Sequence, residues 1–123
     1  MRKFYFTFLF LGLVLVLTAC GQLGNKTVNQ PANTVIPPGK LLFYSQTCPH
    51  CQIVDQYIND NNLHQKLYFV SLEISQNKNN YDLATLVGQR CNISESAMGV
   101  PLFWDGAKCY QGEQEIINYF KTL

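Results

Sequence analysis

Charged side chains are scarce in this chain of 123 residues: Asp, Glu, Lys and Arg make up 14% of it, nine basic against eight acidic. Without a basic field to neutralise phosphates, no nucleic-acid partner is expected. The chain also lacks an apolar stretch of about 20 residues, the length a membrane-crossing helix requires. It is too short for more than one compact domain, which is expected to be a monomer. What it does not lack is apolar residues, at 47%, a composition that excludes an intrinsically disordered chain. Nor does it lack cysteine: five in so small a chain is more than a reduced cytosolic domain usually carries, and the odd count leaves one unpaired.

The N-terminus accounts for the odd one. Met1-Arg2-Lys3 is a positive head, and Phe4 to Leu17 is a nearly unbroken apolar run of signal-peptide length. Leu17-Thr18-Ala19-Cys20 closes it and resembles the bacterial lipobox, in which a cysteine is acylated and becomes the new N-terminus. The alternative is an uncleaved anchor helix, and both readings put the remainder on the oxidising side of a membrane. Residues 1–19 are thus read as a signal peptide. Residues 20–39 are read as a lipid-anchored flexible tether, polar and broken by Pro31, Pro37 and Pro38. Loss of Arg2 and Lys3 leaves seven basic residues against eight acidic ones. Asn25-Lys26-Thr27 and Asn92-Ile93-Ser94 match the glycosylation acceptor pattern, but three residues recur by chance and carry no weight.

Residues 40–123 carry the domain. Lys40 to Ser45 is a continuous apolar run suited to a strand buried on both faces. Pro49 suits a first helical turn, and Ile53, Val54, Tyr57 and Ile58 follow at helical spacing, so Cys48 is predicted to cap a helix. Leu67 to Ile74 reads as a strand, with Tyr68, Val70, Leu72 and Ile74 on one face and Leu67 and Phe69 on the other. A second helix follows, capped by Asn79 or Asn80, apolar at Tyr81, Leu83, Ala84, Leu86 and Val87, and ending near Gly88. Val100 to Trp104 and Ala107 to Tyr110 flank Asp105-Gly106, a two-residue hairpin signal. A last helix turns Ile116, Ile117 and Phe120 inward, with Glu113 and Glu115 at its positive end. The β-α-β-α order implies a parallel strand pair joined by a right-handed crossover.

Two stretches carry a resemblance. Phe43-Tyr44-Ser45-Gln46-Thr47-Cys48-Pro49-His50-Cys51 resembles the active-site strand and turn of glutaredoxins and related thiol oxidoreductases. Gly99-Val100-Pro101-Leu102-Phe103-Trp104-Asp105-Gly106 resembles their second signature, a Val-Pro entering the third strand with proline in the cis form. Together, over roughly residues 40–123, they imply an α/β thioredoxin fold, glutaredoxin-like β-α-β-α-β-β-α, with a four-stranded mixed sheet flanked by three helices. The resemblance further implies that Cys48 attacks, Cys51 resolves, and the backbone at Val100 before Pro101 pairs with an extended substrate chain. No cofactor beyond a redox-active Cys48–Cys51 disulfide is implied.

The residue types suit that chemistry. Disulfide exchange needs a thiolate, a second thiol to resolve the mixed disulfide, and access for a partner. A cysteine at a helix start meets unpaired N–H groups and the positive end of the helix dipole, an arrangement that favours a thiolate. His50 is placed to add a hydrogen bond or positive charge, and its Pro49-His50 setting resembles the periplasmic disulfide oxidases, whose helical insertion has no room here. Other departures matter. The threonine common before this valine in glutaredoxins is absent, and Tyr110-Gln111-Gly112-Glu113 half matches the Gly-Gly-x-Asp glutathione-binding signature, which weighs against glutathione as a cofactor. Gln46 and Thr47 stand where a lysine commonly precedes the dithiol.

The reading that follows is a membrane-tethered extracytoplasmic protein thiol–disulfide oxidoreductase, on the periplasmic or cell-surface side, with a redox recycling partner. Its rival is a lipid-anchored zinc- or copper-binding or interaction module using the same thiols, with Cys91, Cys109 or His64 completing a zinc site. No second close ligand pair exists, and no metal is expected. Cys91 and Cys109 could form a structural disulfide closing a loop of about 18 residues, remain buried free thiols, or act as a second redox pair. His64 reads as a solvated loop residue and Trp104 as hairpin packing.

Overall fold

The computed structural model describes residues 35–123. The residues read as a signal peptide, Cys20 and most of those read as a tether, with Asn25, lie outside the described residues. Strand β1 (Leu41–Tyr44) leads into helix α1 (Pro49–Asp60) and a one-turn helix α2 (Leu63–Lys66). Strand β2 (Val70–Glu73) and helix α3 (Lys78–Arg90) follow, then a 3₁₀ turn over Glu95–Ala97. Strands β3 (Leu102–Trp104) and β4 (Cys109–Gln111) form a hairpin before helix α4 (Glu113–Phe120).

The sheet order is β2-β1-β3-β4, with β1 and β2 parallel and the other neighbours antiparallel. This is the thioredoxin fold in its short β-α-β-α-β-β-α form. Both faces of the sheet are covered, which is why the central strands read as unbroken apolar runs. Leu42 and Phe103 point to a cluster with Val54 and Ile58 of α1, Leu63 and Phe69, and Ile116 and Phe120 of α4. Leu41, Phe43, Leu102 and Trp104 point the other way, against Leu83, Ala84 and Val87 of α3. The alternation is the period of two of an extended strand, and Trp104 is core packing. Ile36 packs against the α3-side cluster, so the packed chain begins ahead of Lys40.

Several local expectations are corrected. Ile53 and Tyr81 sit on helices as predicted, but 45% and 43% exposed, on the solvent side of α1 and α3. Leu72 and Ile74 do pack opposite Leu67 and Phe69, yet Tyr68 precedes the strand at 84% exposure and Val70 is exposed. The reason is that β2 is an edge strand and only its C-terminal half lies under α3. The cap of α3 is Asn77, whose Oδ1 accepts the N–H groups of Asn79 and Asn80, the two residues expected to cap it. The hairpin turns in two residues, but one position later than predicted, at Gly106-Ala107: Asp105 N donates to Lys108 O at 3.0 Å, and Asp105 Oδ1 accepts from both Ala107 and Lys108 N–H, taking over the return bond to the Asp105 carbonyl. His64 lies on α2, a turn not anticipated, and stacks on Phe69 with ring centroids 4.8 Å apart.

Candidate active site

Ser45 to Cys48 is a turn closed by the Cys48 N–H donating to Ser45 O at 3.1 Å. Cys48 itself has extended backbone angles and caps α1, its carbonyl accepting from Cys51 N and Gln52 N and its Sγ from Cys51 N at 3.3 Å. Pro49 occupies the first turn, where a missing N–H costs nothing. The chain thus places the Cys48 sulfur, half-buried, where the free N–H groups of a helix converge.

Across from it, Cys48 Sγ donates to Val100 O at 3.5 Å. The Val100–Pro101 bond is cis, and Pro101 O accepts from Gly112 N at 2.9 Å. Gly112 has φ of +83°, a conformation glycine adopts without the strain a Cβ would add, and it starts α4. The start of α1 and the loop before β3, far apart in the chain, therefore meet at one sulfur, and the start of α4 holds that loop through the Gly112–Pro101 bond.

Cys51 lies beneath, 5% exposed, and is not bonded to Cys48. Burial first, then its hydrogen bond with the Cys48 thiol, push the Cys51 thiol up to about 12; the Ser45 N–H directed at its sulfur opposes the rise. The pair is thus asymmetric, with one sulfur reachable and the other buried and held in its thiol form. A cavity of about 340 Å³ adjoins Cys51, lined among others by Tyr44, Ser45, Gln46, Gln52 and Asp55. A larger one of about 610 Å³ lies between residues 35–39, Leu86 and Trp104, away from the dithiol.

His50 is engaged elsewhere than expected. Its Nδ1 lies 3.0 Å from Glu113 Oε2 at the start of α4, and the ring is largely exposed, while the partners of the Cys48 sulfur are Val100 O and Cys51 N. That hydrogen bond, and a second from Gln114, hold the Glu113 carboxyl below the usual range. Glu113 was legible only as an acidic residue at a helix start; nothing in the sequence pairs it with His50.

A second carboxylate was not legible at all. Glu73 ends β2 and is held below the usual range first by the Ser75 hydroxyl and, against the cost of burial, by N–H groups of Gln76, Ser75 and Gln46. Ser75 Oγ also accepts from Ser45 Oγ at 3.2 Å, and Ser45 Oγ lies 3.2 Å from Thr47 Oγ1. Ser45 is the one buried polar residue among the described residues.

Cys91 and Cys109 are bonded to each other, with Cα atoms 6.0 Å apart. The bond joins the end of α3 to edge strand β4, beside a surface cavity flanked by Arg90 and Lys108. Neither sulfur is then available to complete a zinc set with Cys48 and Cys51. Among the described residues no three His, Cys, Asp or Glu side chains form a group that could hold a metal ion.

No protein-family model and no curated protein matches the chain. Among solved structures it is similar to the holo form of glutaredoxin C1 from Populus tremula x tremuloides, with 14% identity and TM-score 0.49 over 69% of this chain and 76% of that one. A buckwheat glutaredoxin–glutathione complex is similar at 14% identity and TM-score 0.48, over 68% of this chain and 69% of that one. A wheat glutaredoxin matches at 15% identity and TM-score 0.48, over 71% of this chain and 73% of that one.

Proposed function

We propose that the chain is a protein thiol–disulfide oxidoreductase that works through a mixed disulfide on Cys48. One observation carries this reading: a half-buried Cys48 sulfur at the start of α1 faces the carbonyl of Val100 before cis Pro101, with the buried thiol of Cys51 directly behind it. An incoming disulfide is attacked by the Cys48 thiolate, and one of its sulfurs leaves as a thiolate. Cys51 then loses its proton and attacks Cys48 Sγ, releasing the second thiol and leaving a Cys48–Cys51 disulfide. The reverse sequence oxidises a dithiol.

The substrates are extracytoplasmic proteins, and a separate redox partner restores the dithiol or the disulfide. The sequence supports a lipid anchor at Cys20 on the periplasmic or cell-surface side, after removal of residues 1–19. Glutathione is not required in this reading, since Tyr110 and Gln111 stand where the signature has its two glycines and Glu113 is already engaged with His50.

The purified full chain and its Cys48→Ser variant, compared in insulin reduction and in oxidation of a dithiol peptide, test the proposal. Exchange is expected in the wild type and loss to background in the variant. Equal rates in both, or none in either, would overturn it. Cys20→Ser is expected to move the protein from the membrane fraction to the soluble one, and an unchanged distribution would remove the anchor.

A further inference from the structure

We propose, resting on the oxidoreductase reading, that Gln111 at the end of β4 is a positioning residue for substrate binding: it docks the turn before cis Pro101 so that the backbone of Gly99 and Val100 can pair with an extended polypeptide whose disulfide Cys48 attacks. The backbone beside the reactive sulfur is open. Val100 O is the acceptor of the Cys48 thiol, Gly99 is exposed and Val100 half-buried. The Ala97 and Met98 N–H groups bond to Ser94 O and Glu95 O, but among the described residues nothing accepts the N–H of Gly99 or of Val100. Adjacent unpaired backbone groups are a template on which an extended chain can add.

Two consecutive residues hold the ends of that open segment. Gly112 N donates to Pro101 O at 2.9 Å, and Gln111 Nε2 donates to Ala97 O at 2.8 Å. The first bond is backbone to backbone, whereas the second depends on one side chain. Gln111 is itself fixed: it pairs with Leu102 across the hairpin, and its N–H donates to Glu115 Oε2 of α4 at 2.9 Å. What it fixes is otherwise loose. The bonds from Ala97 N to Ser94 O and from Met98 N to Glu95 O join the 3₁₀ turn only to itself. Among the described residues, the Gln111 bond is the one hydrogen bond that ties the stretch from Ser94 to Met98 to the sheet. The other restraint is apolar: Met98 lies on the bare face of Gly88 in α3, where a Cβ would meet its sulfur at 3.0 Å. Such a contact has no direction, so it fixes where the turn lies and not how its peptide planes face; the hydrogen bond is directional and sets the latter.

The consequence falls on polypeptide substrates. A small disulfide needs only the Cys48 sulfur, whose partners are Cys51 N and Val100 O. A disulfide carried on an extended chain also needs the Gly99 and Val100 backbone groups aligned with that chain, and a turn that swings freely must lose its freedom on binding. Gln111 pre-arranges the turn, so its contribution is to substrate affinity and not to the reactivity of the sulfur.

The reduced full chain is compared on two substrates: a symmetric aromatic disulfide that releases a coloured thiolate, and an unstructured peptide carrying the same aromatic thiol as a mixed disulfide on a central cysteine. Gln111→Met keeps the length but has no donor. It is expected to raise the half-saturating peptide concentration about fivefold, the worth of one hydrogen bond, while the limiting release rate and the release from the small disulfide each stay within about twofold. Gln111→Lys keeps an N–H donor on a long side chain and is expected to restore the peptide affinity. A general structural role would slow release from both substrates by a common factor, and that result, or a peptide affinity unchanged in Gln111→Met, would overturn the inference while leaving the oxidoreductase reading in place. If the wild type releases nothing from either substrate, the oxidoreductase reading fails and this inference with it.

Discussion

Cys48 and Cys51 stand on one turn of helix and are unbonded, whereas Cys91 and Cys109 are separated by 18 residues and are joined. The two pairs sit on the same small domain, yet their surroundings differ in every respect that governs thiol chemistry. The first has a half-buried sulfur at a helix start and a buried second thiol behind it. The second ties the end of α3 to an edge strand, where the contribution of a cross-link is to restrict the unfolded chain. Cysteine count alone cannot distinguish reactivity from stapling; helix position and burial can.

That contrast can be broken in graded ways. The largest effect is expected from Cys51→Ser: turnover with a protein disulfide stops after one step, and an adduct on Cys48 accumulates, visible by mass. Rapid release without an adduct would mean that Cys51 does not resolve. Replacing both Cys91 and Cys109 by Ala should lower stability by about 3 kcal/mol in denaturant unfolding while leaving the rate of Cys48 attack in the folded fraction unchanged. If instead exchange activity disappears with stability intact, the second pair is redox-active rather than structural.

A smaller effect tests His50. Because its ring is paired with Glu113, His50→Ala alone should shift the reduction potential by less than about 30 mV, equivalent to about 1.4 kcal/mol for two electrons. In a Glu113→Gln background the ring is released, and His50→Ala should then shift the potential further than in the wild type. Equal shifts in both backgrounds would show that the pair has no bearing on the dithiol.

The smallest effect concerns the hairpin far from both sulfurs of the dithiol. Burial raises the Asp105 carboxyl, but the N–H groups of Lys108 and Ala107 and the Tyr110 hydroxyl outweigh it and hold the group below its usual range. A depressed folded value means that the stabilisation is complete above the unfolded value of about 3.9 and is lost as pH falls through the folded one. The melting midpoint of the wild type should therefore fall more steeply than that of Asp105→Asn on acidification from about pH 5 to about pH 2. Parallel curves would remove the Asx turn from the list of groups that stabilise the hairpin.

Most of the order of elements was legible because it is written in local patterns. Pro49 after Cys48 marks a helix start, and the apolar run of β1 marks a strand covered on both sides. Misreadings cluster where local pattern and tertiary position disagree. Tyr68, Val70 and Tyr81 are apolar enough to read as core, but they lie just before an edge strand, on it, and on an outer helix face, and all three are exposed. Asp105-Gly106 signals a tight turn, and the turn forms one residue later, at Gly106-Ala107, with the Asp105 side chain accepting the N–H groups of Ala107 and Lys108.

The sequence by itself determined which residues could do the chemistry: a dithiol at a helix start, a Val-Pro ahead of a strand, and a spare cysteine pair. Each of these is a short-range property, fixed by spacing, φ restriction and the orphan N–H groups of a first helical turn. Only the tertiary structure decided that Cys91 bonds Cys109, that His50 turns to Glu113, and that Glu73 reaches the dithiol loop through Ser75 and Ser45. Those partners are 18, 63 and 30 residues apart, and they meet where the end of α3 reaches β4, where α4 packs beside α1 and where β1 pairs with β2. Periodicity carries no information at that range, because it reports which face a residue occupies and not which residue it will meet there.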